Sequence, residues 1–227
     1  MRYFLTILLL ACSLQTFPQL LISETHIQSR SINNLVNLYN SNGIPQSVSP
    51  IEFPVDIYKL TYKTIDENGD STTATGAVSL PVGKDCPAAI ISYQHGTSTK
   101  KTSVPSHLST EVLIGTIASA NGYVGVMPDY LGLGDGPGFH LYHHAKTEAT
   151  ATIDMLRATR EFCANNGISL SGEIFLGGYS QGGHATMAAH QEIQTYHDDE
   201  FNVVASCPMA GAYDMSGVMR ARLESNV

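Results

Sequence analysis

The chain changes its hydrophobic period near its first third. Residues 56–65 and 72–81 are rich in β-branched and aromatic side chains, and the run Asp66-Glu67-Asn68-Gly69-Asp70 separates them. Asn-Gly between two such segments predicts an antiparallel hairpin. From Ala88 onward, short continuous apolar runs at 88–93, 123–127, 173–179 and 202–209 alternate with segments of helical period at 107–120, 148–165 and 181–196. Apolar strands separated by helices imply a parallel sheet covered on both faces, with right-handed crossovers. The expected fold class is therefore α/β: a mainly parallel sheet with helices on both faces, preceded by an antiparallel hairpin. Residues 17–50 read as a lead-in with a short helix around 32–39. Residues 51–227 read as one domain, with 214–225 starting a further helix.

The first residues have a different character. Arg2 precedes an apolar run over 3–11 that is too short to span a bilayer, so residues 1–16 read as an export signal. Two cleavage readings stay open. Leu9-Leu10-Ala11-Cys12 resembles a lipobox, which would lipidate Cys12 and attach the protein to a membrane, whereas Ala11-Cys12-Ser13 suits ordinary cleavage. Either implies a secreted or extracytoplasmic protein, in a compartment where disulfides persist. Cys86–Cys163 is the first expected bridge, and three free thiols are the alternative. Cys207, in an apolar strand pattern, reads as a core residue. No C-x-x-C spacing occurs, so a structural zinc site is not indicated.

A composition of 43% hydrophobic and 14% charged residues suits a large core rather than disorder. The net charge of −8, with no basic cluster larger than Lys100-Lys101, argues against a nucleic-acid partner.

Chemistry enters at Gly178-Tyr179-Ser180-Gln181-Gly182, a G-x-S-x-G pentapeptide between a predicted buried strand and a predicted helix. In that context the turn is sharp enough to strain the serine backbone and to lift its hydroxyl above the sheet. The bland alternative is a glycine-rich turn with an idle serine. His95-Gly96-Thr97 follows an earlier strand, where an oxyanion hole takes its second amide. The expected donors are the N–H groups of Gln181 and Thr97, with His95 and Gly96 holding the loop in shape. A third block, Pro128 to Asp135, leads to His140, His143 and His144. Three histidines so close invite a metal, but no convincing partner set falls at helical spacing. The expected role is to shape an acyl pocket, with no metal or cofactor. Asp66 to Asp70 also lacks the glycine that a helix–loop–helix calcium loop needs.

Taken together, YQHGT, PDYLGLGDGPG, IDMLRA and GYSQGGHA, in this order, resemble the secretory lipase family of α/β-hydrolases. The resemblance runs from about Ile51 to Asp214. It implies hydrolysis of triacylglycerols or related small-molecule or lipid esters, with Ser180 as nucleophile and Thr97 and Gln181 lining the oxyanion hole.

A nucleophilic serine also needs a base and an acid, which in this fold come later in the chain. His184, His190 and His197 sit on the helix that Ser180 opens and are poorly placed. Asp214 is the candidate acid, and no histidine follows it. The expectation is a chain lacking the final strands and the catalytic histidine. The alternatives are a catalytically inactive protein that keeps the fold for binding or surface display, and a peptidase or acyltransferase on the same scaffold.

Overall fold

The computed structural model describes residues 19–225; the expected export signal and Cys12 lie outside them. The elements are β1 (Leu21–Arg30), α1 (Ile32–Ser41), β2 (Val55–Ile65), β3 (Ser71–Pro81), β4 (Ala88–Gln94), α2 (Val112–Ala120), β5 (Val124–Pro128), α3 (Ala145–Asn165), β6 (Leu170–Tyr179), α4 (Gln181–Tyr196), β7 (Asn202–Met209) and α5 (Arg220–Glu224). The strands form a single sheet in the order β1-β2-β3-β5-β4-β6-β7. The hairpin closes where predicted, with Ile65 opposite Ser71, and β3 hands over to β5 in an antiparallel pairing. From β5 through β4 and β6 to β7 every pairing is parallel.

The two faces of the sheet bury separate clusters. Leu60, Tyr62, Val78 and Val126 meet Leu156 and Phe162 of α3 and Ile193 of α4. Their strand neighbours Ile57, Ala77 and Met127 point the other way, toward Leu35 and Tyr39 of α1 and Val112 of α2. This is the period-two alternation of a sheet covered on both sides. Burying a Leu or Phe side chain fully stabilises by about 1.5–3 kcal/mol, so α3 is fixed largely by Leu156 and Phe162.

Several expectations are corrected. The segment read as a lead-in contains β1, which pairs antiparallel with β2. Its sequence, LISETHIQSR, is mostly polar because it is an edge strand with little to bury. The Glu161 carboxylate of α3 anchors it by accepting from the Leu20 and Leu21 amides at 2.7 and 3.0 Å. The helix expected from 107 begins at Val112, because Leu108 adopts a left-handed conformation with φ of 58°. Residues 215–219 form a π-helical turn before the short α5.

The expected Cys86–Cys163 bridge does not form. Cys86 is exposed in the turn after β3, whereas Cys163 is buried on α3, and both are free thiols. Burial pushes the Cys163 thiol up to about 12. Cys207 is exposed rather than in the core: among the described residues β7 is the edge strand of the sheet.

Candidate active site

Ser180 stands between β6 and α4 with φ 59° and ψ −120°, a region that side-chain-bearing residues rarely occupy. Such a conformation costs on the order of 1–3 kcal/mol and persists only where the surroundings enforce it. They do so here. The Ser180 amide donates to the Met209 carbonyl of β7 at 3.0 Å, and the amides of Gly183 and His184 return to the Ser180 carbonyl at 3.0 and 3.2 Å. A Cβ on Gly182 would collide with the carbonyl oxygen of Gln94, and one on Gly178 would collide with the backbone of Gly182. Small residues at both positions let the helix start directly against β4. Ser180 is partly exposed, and among the described residues its Oγ carries no hydrogen bond.

The His95-Gly96-Thr97 loop lies beside this turn, since the His95 carbonyl faces Gly182 and Gly96 faces the Tyr179 carbonyl. The loop is gripped from several sides. Tyr130 donates its hydroxyl to the His95 carbonyl at 2.9 Å, and the Gly96 amide donates to both oxygens of Glu111 at 3.1 and 3.0 Å. The buried His95 ring lies against Tyr130, with Nε2 3.1 Å from the Asp129 carbonyl and Nδ1 2.6 Å from the Gly96 carbonyl. The Thr97 amide has no partner among the described residues. At the start of α4, the Gln181 amide has no intrahelical acceptor, as for any first-turn amide. The amides of Thr97 and Gln181 are thus both without partners among the described residues.

Asp129 is buried outright; burial pushes its carboxyl above the usual range although the Thr75 hydroxyl and Ser106 amide donate to it at 2.6 and 3.0 Å. Beyond Thr97 opens a cavity of about 620 Å³ lined by Leu133, Phe139, His140 and Tyr142, among others.

The three clustered histidines separate. His140 lies against the cavity, with Nε2 2.8 Å from Gln181 Nε2. His143 packs its ring edge-on to His184, and burial followed by His184 holds its pKa below the ordinary value. His144 precedes α3 and contacts the Thr147 hydroxyl. Asp214 does not reach the serine turn through any hydrogen bond; it is exposed and accepts from the Gly217 amide at 2.8 Å.

Two carboxylates with no sequence signal are central to the site. Glu111 anchors Gly96 and also accepts from Tyr93, whose pKa burial and Glu111 raise. Glu148, 1% exposed, accepts from Gln181 Nε2 at 2.8 Å and lies 2.6 Å from His184 Nδ1. Spacing offered no signal for either, because their partners come from other elements.

An antiparallel start, a parallel run and a sharp strand–helix turn bearing a serine define an α/β-hydrolase fold. The family model for secretory lipases matches residues 99–222, and the chain belongs to that family. Among solved structures, a protein from Legionella pneumophila is 31% identical, with a TM-score of 0.76 over 83% of this chain and 51% of that one. The rice cell wall degrading esterase LipA from Xanthomonas oryzae is 31% identical, with a TM-score of 0.74 over 84% of this chain and 50% of that one. Candida antarctica lipase A in its closed state, at 21% identity and a TM-score of 0.58, covers 82% of this chain and 41% of its own length and shares the fold. The chain thus spans about half the length of these proteins. No curated protein matches it. Among the described residues no helix is long and apolar enough to cross a membrane.

Proposed function

We propose that this chain carries the nucleophile half of a secreted carboxylic ester hydrolase, a lipase or esterase working through an acyl-Ser180 intermediate. The observation that carries the reading is the enforced positive φ of Ser180, in a turn that the His95-Gly96-Thr97 loop adjoins through Gly96. Ser180 Oγ attacks the ester carbonyl while a base takes its proton. The oxyanion accepts from the Thr97 and Gln181 amides, and each such donor contributes about 3 kcal/mol to the transition state. Collapse expels the alcohol, which receives the proton from the base, and water then releases the acid from the acyl-enzyme. The chemistry needs no cofactor. Leu133, Phe139 and Tyr142 offer the acyl group an apolar wall.

The base comes, in this reading, from outside these 227 residues. Two facts support it: no described histidine bonds Ser180, and His184 faces Glu148 instead. Asp214 stays the candidate acid: its Oδ1 accepts from the Gly217 amide, which leaves Oδ2 for such a histidine.

Fluorophosphonate labelling and nitrophenyl-ester turnover test the proposal on two proteins: the 227-residue chain, and the product of the reading frame continued past Val227. The longer product is expected to label at Ser180 and to turn over ester, with both lost in Ser180→Ala. An unreactive longer product would sink the hydrolase reading in favour of a binding protein. Labelling of the 227-residue chain by itself would sink the claim about the base.

A further inference from the structure

Glu148, His184 and His143 come from the first turn of α3, the first turn of α4 and the loop before α3. Each offers one ligand atom, and these atoms all lie within 4.8 Å of one another. We propose that these three side chains bind a zinc-class divalent cation behind the serine turn. The sequence offers no partner set for these histidines at helical spacing. The fold supplies one from elsewhere.

A buried carboxylate must be paired. Glu148 accepts from the Gln181 side-chain Nε2 on one oxygen and has His184 Nδ1 at 2.6 Å on the other. His143 completes no hydrogen bond: its Nδ1 is shut away from solvent without a partner. The fully buried Gln181 in the same cluster also keeps an unpartnered Oε1. A cation would satisfy His143 and take the place of the His184–Glu148 proton.

The donor chemistry fits. Two imidazole nitrogens and one carboxylate oxygen, with a fourth position for water, suit zinc. Around a tetrahedral ion with bonds of about 2.0–2.2 Å, donor atoms stand roughly 3.4 Å apart. The widest separation must therefore shrink by at most about 1.4 Å, and the 2.6 Å contact must open by under about 1 Å. His143 is on a loop, where the first shift is cheap. Gln181 is already placed to orient the carboxylate, as groups behind a metal ligand do. A bound ion would tie the His143 loop to the first turn of α4, whose His184 amide donates to the Ser180 carbonyl.

The site does not depend on the hydrolase reading, and its test needs no turnover. The 227-residue protein, made without a polyhistidine tag and stripped with a chelator, is titrated with Zn²⁺ and with Co²⁺ as a spectroscopic probe. One equivalent is expected to bind, with a cobalt spectrum free of a thiolate charge-transfer band. His143→Asn keeps a residue that tolerates the local φ of 56°. It is expected to weaken Zn²⁺ at least tenfold while leaving the metal-free thermal midpoint unchanged. Glu148→Gln should do the same for affinity, but its buried place makes His143→Asn the deciding variant. Failure to bind, equal affinity in His143→Asn, or a thiolate band placing the ion on a cysteine would each overturn the proposal.

Discussion

Replacing Gly182 with alanine tests whether the close crossing of α4 over β4 is what holds the serine turn. The new methyl would enter space occupied by the Gln94 carbonyl oxygen and crowd that of His95. The Gln94 oxygen belongs to β4, flanked by β5 and β6, and the His95 oxygen just beyond it is held by Tyr130, so neither can swing aside. Overpacking typically costs about 1–3 kcal/mol where side chains can adjust. With backbone as the obstacle, the upper end is expected, about 3 kcal/mol. For a chain of this length that lowers the thermal midpoint by roughly 6–12 °C. Gly177→Ala, a few residues earlier, is the matched control. Its Cβ would meet just the Cys207 carbonyl, at an ordinary 3.9 Å. Relief of strand-glycine entropy then makes it neutral or stabilising by up to about 1 kcal/mol. Thermal unfolding followed by circular dichroism reads both. Equal midpoints for Gly182→Ala and the parent protein, or an equal loss in Gly177→Ala, would refute the close-crossing argument.

Peptide mapping after brief native alkylation should find Cys86 and Cys207 modified and Cys163 protected, with Cys163 reacting once the protein is unfolded; modification of all three at one rate would contradict the buried placement. The Lys59 ammonium at 2.6 Å, helped by His107, holds the Asp135 carboxyl below its usual value. A depressed folded pKa stabilises above the unfolded value, near 3.8, and that contribution is lost as pH falls through the folded one. The stability gap between the parent and Asp135→Asn should therefore close in acid, and a gap that persists at pH 2 would contradict the pairing. Tyr130→Phe should cost about 1–3 kcal/mol by leaving the buried His95 carbonyl without its donor. Combined with Glu111→Gln it should be non-additive by about 0.5 kcal/mol or more in urea unfolding, because the two residues hold opposite ends of one peptide unit.

What the sequence revealed was mostly what depends on neighbours in the chain. Asn68-Gly69 announced the hairpin, and the switch to continuous apolar runs announced the parallel strands. Gly178 to Gly182 announced the turn, because steric demands there fall on adjacent residues. Features set by distant partners were not legible. The polar β1 gave no strand period because it fills an edge. Glu148 looks like any helical glutamate until α4 brings Gln181 and His184 over it. The cysteine pairing failed for a similar reason, since helical period placed Cys163 on α3 but not on its inward face.

The loop at His95 shows how a short motif becomes a geometry. The peptide unit joining His95 and Gly96 is held at both ends: its carbonyl by Tyr130, its amide by Glu111. The next unit is held at its carbonyl, where the Gly96 oxygen lies 2.6 Å from His95 Nδ1. A planar peptide has no internal rotation to spare, so three fixed groups determine the direction of the fourth, the Thr97 amide. That amide has no partner among the described residues, and the loop that carries it adjoins the serine turn at Gly96, which faces the Tyr179 carbonyl, while Ser180 itself is held by Met209 on the next strand. The fixed groups stand just past β4 and β5, just before α2, and on β7, so the direction of the free donor depends on how the sheet and its connections are assembled. In the proposed mechanism, a dipole fixed in this way needs no reorganisation when negative charge develops on the substrate, which is the condition for strong transition-state stabilisation. His-Gly-Thr specifies where the amide is; Glu111 and Tyr130, from other elements, specify where it points.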